Sequence, residues 1–60
     1  MEKRFISITE LSQYLGVPVK TIRWWVWQRR IPHRKFGRLV RFDMHEIEKW
    51  SADSAVEVVR

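Results

Sequence analysis

The residues best suited to chemistry in this chain are its cations. The segment from Lys20 to Arg41 contains eight Lys and Arg residues and no Asp or Glu, while all seven acidic residues lie outside it. A surface that only keeps a protein in solution normally mixes the two signs. Concentrating one sign creates a positive local field that attracts polyanions and speeds their encounter. With a net charge of +5, the chain is predicted to bind a polyanion.

The sequence contains no recognisable catalytic or metal-binding constellation. It has no cysteine, which excludes a disulfide framework and a thiolate zinc site. The two histidines, His33 and His45, share no short metal-ligand spacing. There is no Ser-His-Asp order, glycine-rich phosphate loop or close pair of acids, and a chain this short leaves little room for a substrate pocket. We therefore expect neither an enzyme nor a bound metal or other cofactor.

The length of 60 residues allows a single domain with a small core. No apolar signal-peptide stretch opens the sequence. The longest apolar run, Trp24–Trp27, has four residues, far short of the roughly 20 that a transmembrane helix needs. These features predict a protein of the reducing cytoplasm without a membrane segment.

Local signals predict a first helix over residues 8–15. Ser7 and Glu10 have the spacing of a capping box, in which each side chain accepts a hydrogen bond from the other residue's backbone N–H. Ile6, just before the cap, is expected to pack on this helix as a hydrophobic staple. Gly16 suits the left-handed conformation that commonly ends a helix.

A second helix is predicted from near Val19 to about Arg30. Residues 16–18 are too few for more than a tight turn, and Pro32 prevents the helix from continuing. Three apolar residues recur at helical spacing and are expected to face the core: Ile22, Trp25 and Val26. Two helices joined by a tight glycine-containing turn form a helix-turn-helix signature.

The next stretch changes to the period of a β-hairpin. Residues 33–36 and 39–42 flank the pair Gly37 and Arg38, which suits a two-residue turn with glycine first. The side chains expected in the core are Phe36, Val40 and Phe42. The fold class predicted is mainly α with a small β-hairpin: helix, turn, helix, hairpin wing and helix, a winged helix-turn-helix.

A third helix and a short tail complete the predicted domain. Asp43 and Glu46 have the spacing of a second capping box. The inward face of this helix is expected to contain Met44, Ile47 and Trp50. We assign residues 1–51 to the domain and residues 52–60 to a tail, where Ala55, Val56, Val58 and Val59 could extend a helix, pair as a strand or stay mobile.

Two groups of side chains are expected to contact double-stranded DNA. A helix presented by a compact helix-turn-helix fits the major groove, and a narrow cationic hairpin can follow the backbone or enter a minor groove. On the second helix the candidates are Lys20, Thr21, Arg23, Trp24 and Trp27. On the wing they are Arg34, Lys35, Arg38 and Arg41. Trp24 is expected to contact the DNA backbone. Trp27 could equally contact DNA or bind a second copy of the protein.

The order of these motifs resembles the excisionase and MerR-like winged-helix family. The resemblance spans residues 5–50. Thr21-Ile22-Arg23-Trp24-Trp25 is similar to the Thr-Ile-Arg-Tyr-Tyr stretch that opens the MerR recognition helix. The remaining matches are Tyr14-Leu15-Gly16-Val17, Ile31-Pro32, Lys35-Phe36-Gly37-Arg38-Leu39-Val40-Arg41-Phe42 and the short helix that ends at Trp50.

The resemblance implies a bacterial or phage protein that binds duplex DNA. Its relatives act as recombination directionality factors that bend attachment-site DNA, as AlpA-like transcription regulators, or as the DNA-binding domain of phage terminase small subunits. Residues matching Thr21, Arg23 and Trp24 approach DNA in this family, and those around Arg38 form the wing. Pro18 replaces the usual Ser or Thr cap. Trp replaces Tyr at position 24, which removes a hydroxyl contact to phosphate.

Two other functions fit parts of the sequence. Residues 23–30, Arg-Trp-Trp-Val-Trp-Gln-Arg-Arg, have the composition of a cationic segment that binds membrane surfaces, although the core needs some of the same residues. A protein-docking accessory could use Trp27 and the tail to bind a recombinase, another partner or further copies of the chain. Docking of this kind is compatible with DNA binding.

Overall fold

The structure is a computed structural model that describes residues 3–54. Its elements, in chain order, are β1 (Phe5–Ile6), α1 (Ile8–Leu15), α2 (Val19–Trp27), β2 (Arg34–Phe36), β3 (Leu39–Asp43) and α3 (Met44–Asp53). The strands form an antiparallel sheet in the order β1-β3-β2. The four apolar residues of the tail, Ala55, Val56, Val58 and Val59, lie outside the described residues.

The local signals of α1 and of the following turn act as predicted. The Ser7 hydroxyl accepts from the Glu10 N–H at 3.2 Å, and the Glu10 carboxylate accepts from the Ser7 N–H at 3.1 Å, which completes the capping box. Gly16 ends the helix at φ 69°. Pro18 precedes α2, and its carbonyl accepts from the Thr21 and Ile22 N–H groups.

The second helix is shorter than predicted. It ends at Trp27, about three residues before the expected end. Arg29 adopts a left-handed backbone conformation at φ 57°, and this reversal directs the chain out of the helix. Proline therefore does not set the end of α2, because the turn at Arg29 comes first.

The core forms where α1, α2 and α3 meet the sheet. Its buried side chains are Ile6, Leu11, Ile22, Ile31, Phe42 and Ile47. Trp25 and Trp50 pack against this cluster with ring centroids 5.7 Å apart. The Trp50 ring nitrogen Nε1 donates to the Arg30 carbonyl at 2.9 Å, which ties α3 to the segment after α2. The inward faces predicted for the three helices therefore meet in one core.

The hairpin forms as predicted, but one of its three expected core residues is exposed. Phe36 pairs with Leu39 across the turn, and Gly37 has φ 64°. Phe42 is fully buried, and Val40 packs against the core. The placement of Phe36 in the core was wrong, because its pairing with Leu39 puts it on the face opposite to Val40 and Phe42, on an edge strand whose three residues are exposed. Its ring instead meets Phe5 edge-on at 5.6 Å.

Two features of the N-terminal segment and α3 differ from the sequence prediction. Phe5–Ile6 forms a strand on β3, so Ile6 enters the core through sheet pairing as well as through helix packing. Asp43 caps α3 by accepting from the His45 N–H at 2.9 Å, but the second capping box does not form. The Glu46 carboxylate instead accepts from Arg34, and the second Asp43 oxygen accepts from Arg4.

The Asp43 carboxylate is expected to make stability depend on pH. The side-chain hydrogen bond from Arg4 lowers the pKa of Asp43 below its ordinary 3.8, and the bond from the His45 backbone acts in the same direction against burial. Because the folded pKa is the lower one, this stabilisation is present above the unfolded pKa and is lost as the pH falls through the folded value.

Asp43→Asn should therefore flatten the acid limb of the stability curve. We expect the melting temperature of the wild type to drop more steeply than that of the variant as the pH falls below about 4. Thermal melts followed by circular dichroism across this range measure the difference. Glu10, whose pKa is lowered by the backbone hydrogen bond from Ser7 and then by Lys3, contributes equally to both proteins. Parallel curves would contradict the role given to Asp43.

The complete arrangement is that of a winged helix-turn-helix. Three helices surround a small antiparallel sheet, and the β2–β3 hairpin forms the wing. This confirms the fold class predicted from the sequence. The third helix continues to Asp53, so it extends two residues into the segment that the sequence assigned to the tail.

Candidate nucleic-acid interface

One face of α2 presents cations and indoles to solvent. Four exposed residues recur at positions i, i+3, i+4 and i+7, and we call them the exposed stripe: Lys20, Arg23, Trp24 and Trp27. This spacing places them on a single side of the helix, away from the fully buried Ile22. Thr21 is half-buried and borders the stripe. The helix therefore displays side chains that donate hydrogen bonds and stack, rather than apolar residues alone.

Arg23 lies where the exposed stripe meets the wing. It lines two open depressions between α2 and the hairpin, both also bordered by Val26 and Val40. The first is also lined by Arg38 and Arg41. The second contains Trp27 and further cations, among them Lys35. The structure thus brings five predicted contact residues together: Arg23, Trp27, Lys35, Arg38 and Arg41.

Two cations of the wing have partners within the protein. The Arg34 Nε donates to the Glu46 carboxylate of α3 at 3.0 Å, and this hydrogen bond raises the pKa of Arg34. The Arg41 guanidinium Nη1 donates to the Val40 carbonyl at 2.8 Å. Arg34 therefore points toward α3 rather than toward the depressions, although the sequence grouped it with the other wing cations.

The two exposed indoles of α2 stack on each other. Trp24 and Trp27 have ring centroids 5.3 Å apart with an angle of 24° between their planes. Trp24 is 53 % exposed and Trp27 is 75 % exposed, so both retain a large accessible surface. Indoles at such positions offer an apolar face together with one N–H donor. They form a rigid platform beside the cations.

The depressions of the surface differ in the charges that line them. Neither depression beside α2 is lined by an acidic residue. A third depression, between α1 and α3, is lined by Glu10 and Glu48 together with Lys3 and Arg4. Across residues 3–54, no group of three or more His, Cys, Asp or Glu side chains is arranged to hold a metal ion.

Two residues of the interface were not assigned a role from the sequence. Arg29 and His33 line the second depression together with Lys35. Arg29 had been counted only among the basic residues, and His33 had been considered only as a metal ligand. No local sequence signal could have placed Arg29 here, because its position follows from a left-handed backbone conformation that non-glycine residues seldom adopt.

Comparison with known families identifies the kind of domain. A sequence model of the helix-turn-helix domain family matches residues 5–53, which include every helix and strand described above. The chain belongs to the helix-turn-helix domain family. This confirms the family predicted from the sequence, and it implies DNA binding. Searches of curated proteins and of solved structures returned no match.

In many helix-turn-helix domains the second helix enters the major groove while the first crosses the backbone, which requires that the outward face of the second helix be uncovered. In this chain the outward face of α2, with the exposed stripe, is uncovered. In the part of the chain that the structure describes, no helix is long and apolar enough to cross a membrane.

Proposed function

We propose that this protein binds duplex DNA sequence-selectively, with α2 in the major groove and the β2–β3 wing against the adjacent backbone or minor groove. The observation that best supports the proposal is the position of Arg23, which belongs to the exposed stripe and borders both depressions beside the wing. Two depressions that no acidic residue lines therefore connect the helix and the hairpin.

The exposed stripe is suited to contact bases. Arg23 can donate two hydrogen bonds to the O6 and N7 atoms of a guanine, which is the commonest specific contact in the major groove. Lys20 lies one turn closer to the start of the helix and can pair with phosphate or with a second guanine. The Thr21 methyl and hydroxyl groups add a contact at the border of the stripe. The indole of Trp24 can contact sugar and donate to phosphate.

The wing is suited to contact the backbone. Arg38 lies in the two-residue turn at the tip of the hairpin, where it is exposed. Arg is favoured in narrow minor grooves, because these have an enhanced negative potential. Lys35 and Arg41 add charge on either side of the turn, while Arg34 reaches DNA only if its bond to Glu46 opens.

Selection of bound duplexes from a random pool tests the proposal. We expect the selected duplexes to share a short motif and to bind more tightly than random DNA of the same length. If about five phosphates are neutralised, the logarithm of affinity should fall against the logarithm of salt concentration with a slope near −4.5. Fluorescence anisotropy on the selected duplex measures this slope. If no motif is enriched and all duplexes bind with equal affinity, the protein binds DNA nonspecifically and the proposed sequence selectivity is wrong.

The resemblance to excisionases favours a role in DNA recombination or in transcription. A recombination directionality factor would bind adjacent sites cooperatively and bend the DNA beside a recombinase, whereas a small transcription regulator needs neither property. Gel mobility of duplexes with one or two selected motifs, permuted along the fragment, distinguishes the two roles. A DNA-recognition domain of a phage terminase small subunit is the alternative within the family. All of these roles predict that the protein is bound to DNA in the cytoplasm of a bacterium.

A second candidate function is protein docking through Trp27. Its indole is the most exposed of the large apolar side chains described, and it lies at the end of the exposed stripe. Docking of a second copy there would assemble the protein along DNA. Sedimentation with and without a duplex containing two motifs measures this assembly. Membrane-surface binding is less well supported, since Ile22 and Trp25 pack in the core.

A further inference from the structure

The second depression beside α2 has the composition of an anion site. Three cations line it, Arg23, Arg29 and Lys35, and no acidic residue does. We call it the cationic depression. The His33 ring lies at its edge, held by a hydrogen bond from Nδ1 to the Ile31 carbonyl at 2.9 Å. Cations from a helix end and from a strand therefore converge on one open space.

Arg29 reaches this depression through an unfavourable backbone conformation. The chain leaves α2 through two reverse hydrogen bonds, from the Arg30 N–H to the Trp25 carbonyl at 2.8 Å and from the Arg29 N–H to the Val26 carbonyl at 3.0 Å. This pattern is a Schellman motif with Arg29 at the left-handed position, φ 57°. Glycine is usual there, because a Cβ atom makes the left-handed conformation costly.

A purely structural role does not require this arrangement. A cation near the end of a helix interacts favourably with the helix dipole, but Arg30 supplies one in an unstrained conformation and does not line the depression. A glycine at position 29 would form the same turn with less strain. Backbone strain of this kind is often found where a side chain is needed for function.

We propose that the cationic depression binds one phosphodiester group of the DNA backbone, with Arg29 and Lys35 as its ligands. A guanidinium group donates two parallel hydrogen bonds to phosphate oxygens, and the ammonium group of Lys35 adds a point charge. The apolar side chains of Val26 and Val40 line the same space. This inference rests on the proposed DNA binding, and it adds Arg29 to the residues that contact DNA.

Substitutions at position 29 separate the role of the side chain from that of the backbone. Arg29→Gly removes the cation and relieves the strain, Arg29→Ala removes the cation and keeps the strain, and Arg29→Lys keeps both. We expect Arg29→Gly to melt about 4–8 °C above Arg29→Ala. Both should bind the selected duplex more weakly than the wild type, with a salt slope shallower by about 0.9. Arg29→Lys should retain most of the affinity.

Arg30→Ala is the matched control, because it removes the same charge from the neighbouring residue outside the depression. We expect a smaller loss of affinity from this change than from Arg29→Ala. A methylphosphonate scan of the selected duplex then locates the contact. Neutralising one phosphate should weaken binding of the wild type more than binding of Arg29→Gly, since that variant keeps only Lys35 as a ligand of the phosphate.

The outcomes distinguish this inference from the proposed function. If the wild type binds the selected duplex and Arg29→Gly does so with the same affinity and salt slope, the cationic depression is not a phosphate site. Equal losses from Arg29→Ala and Arg30→Ala would likewise reduce Arg29 to general surface charge. If the wild type binds no duplex, the proposed function itself fails, and this inference fails with it.

Discussion

Replacing Phe42 with alanine should remove half or more of the protein's free energy of unfolding. The Phe42 side chain is fully buried on β3, the central strand, where all three helices contribute to the surrounding core. Truncating a buried phenylalanine costs about 3–5 kcal/mol. A domain of 60 residues has a total free energy of unfolding of only about 3–9 kcal/mol. Urea denaturation followed by tryptophan fluorescence measures the loss.

Phe36→Ala is the matched control for this prediction. It makes the same chemical change on the neighbouring strand, where the ring is 52 % exposed and contacts Phe5 at its edge. We expect a loss of about 1 kcal/mol or less, the scale of an exposed aromatic pair. Equal losses from the two substitutions would show that the hairpin is packed differently from the structure described here.

The second large effect is expected for Arg23→Ala, measured as DNA affinity. If Arg23 donates two hydrogen bonds to a guanine, its loss should cost about 1–3 kcal/mol, or about 5- to 150-fold in affinity for the selected duplex. Random DNA offers no matched guanine, so its affinity should fall by less. Arg23→Lys should lose the preference for the selected duplex over random DNA as Arg23→Ala does, because lysine keeps the charge but not the paired donors.

Arg38→Ala is the control that distinguishes a contact to phosphate from a contact to a specific base. A wing residue that contacts phosphate should weaken binding to selected and random duplexes by the same factor, and the salt slope should become shallower by about 0.9. Anisotropy titrations of both variants with both DNAs give the four affinities required. If Arg23→Ala and Arg38→Ala each weaken both DNAs equally, α2 does not determine sequence preference.

Several elements of the fold could be predicted because their signals act over a few residues. The Ser7–Glu10 capping box and Gly16 bound α1, and Gly37 supplies the turn of the hairpin. The face of α2 that enters the core follows from the spacing of Ile22, Trp25 and Val26, which is a property of helical geometry. The end of α2 is an exception, because no glycine marks the local left-handed turn at Arg29.

The other predictions that were wrong involve partners more distant in sequence. Glu46 was expected to cap α3, but it accepts a hydrogen bond from Arg34, twelve residues away. Phe36 was expected on the same face as Val40, but the pairing of the two strands places it opposite Leu39, on the outward face of the hairpin. The pairing of Phe5–Ile6 with β3 crosses most of the chain, and a two-residue strand has too few residues to show a period.

The sequence by itself determined the three helices, the hairpin and the separation of cations from acids, because capping, turn chemistry and charge order are local properties of the chain. Only the tertiary structure decided which cations share a surface. It turned Arg34 toward α3 and brought Arg29 beside Lys35 through a left-handed turn. The physical reason is that a side chain's surroundings depend on how the elements pack, and packing joins residues that no local pattern relates.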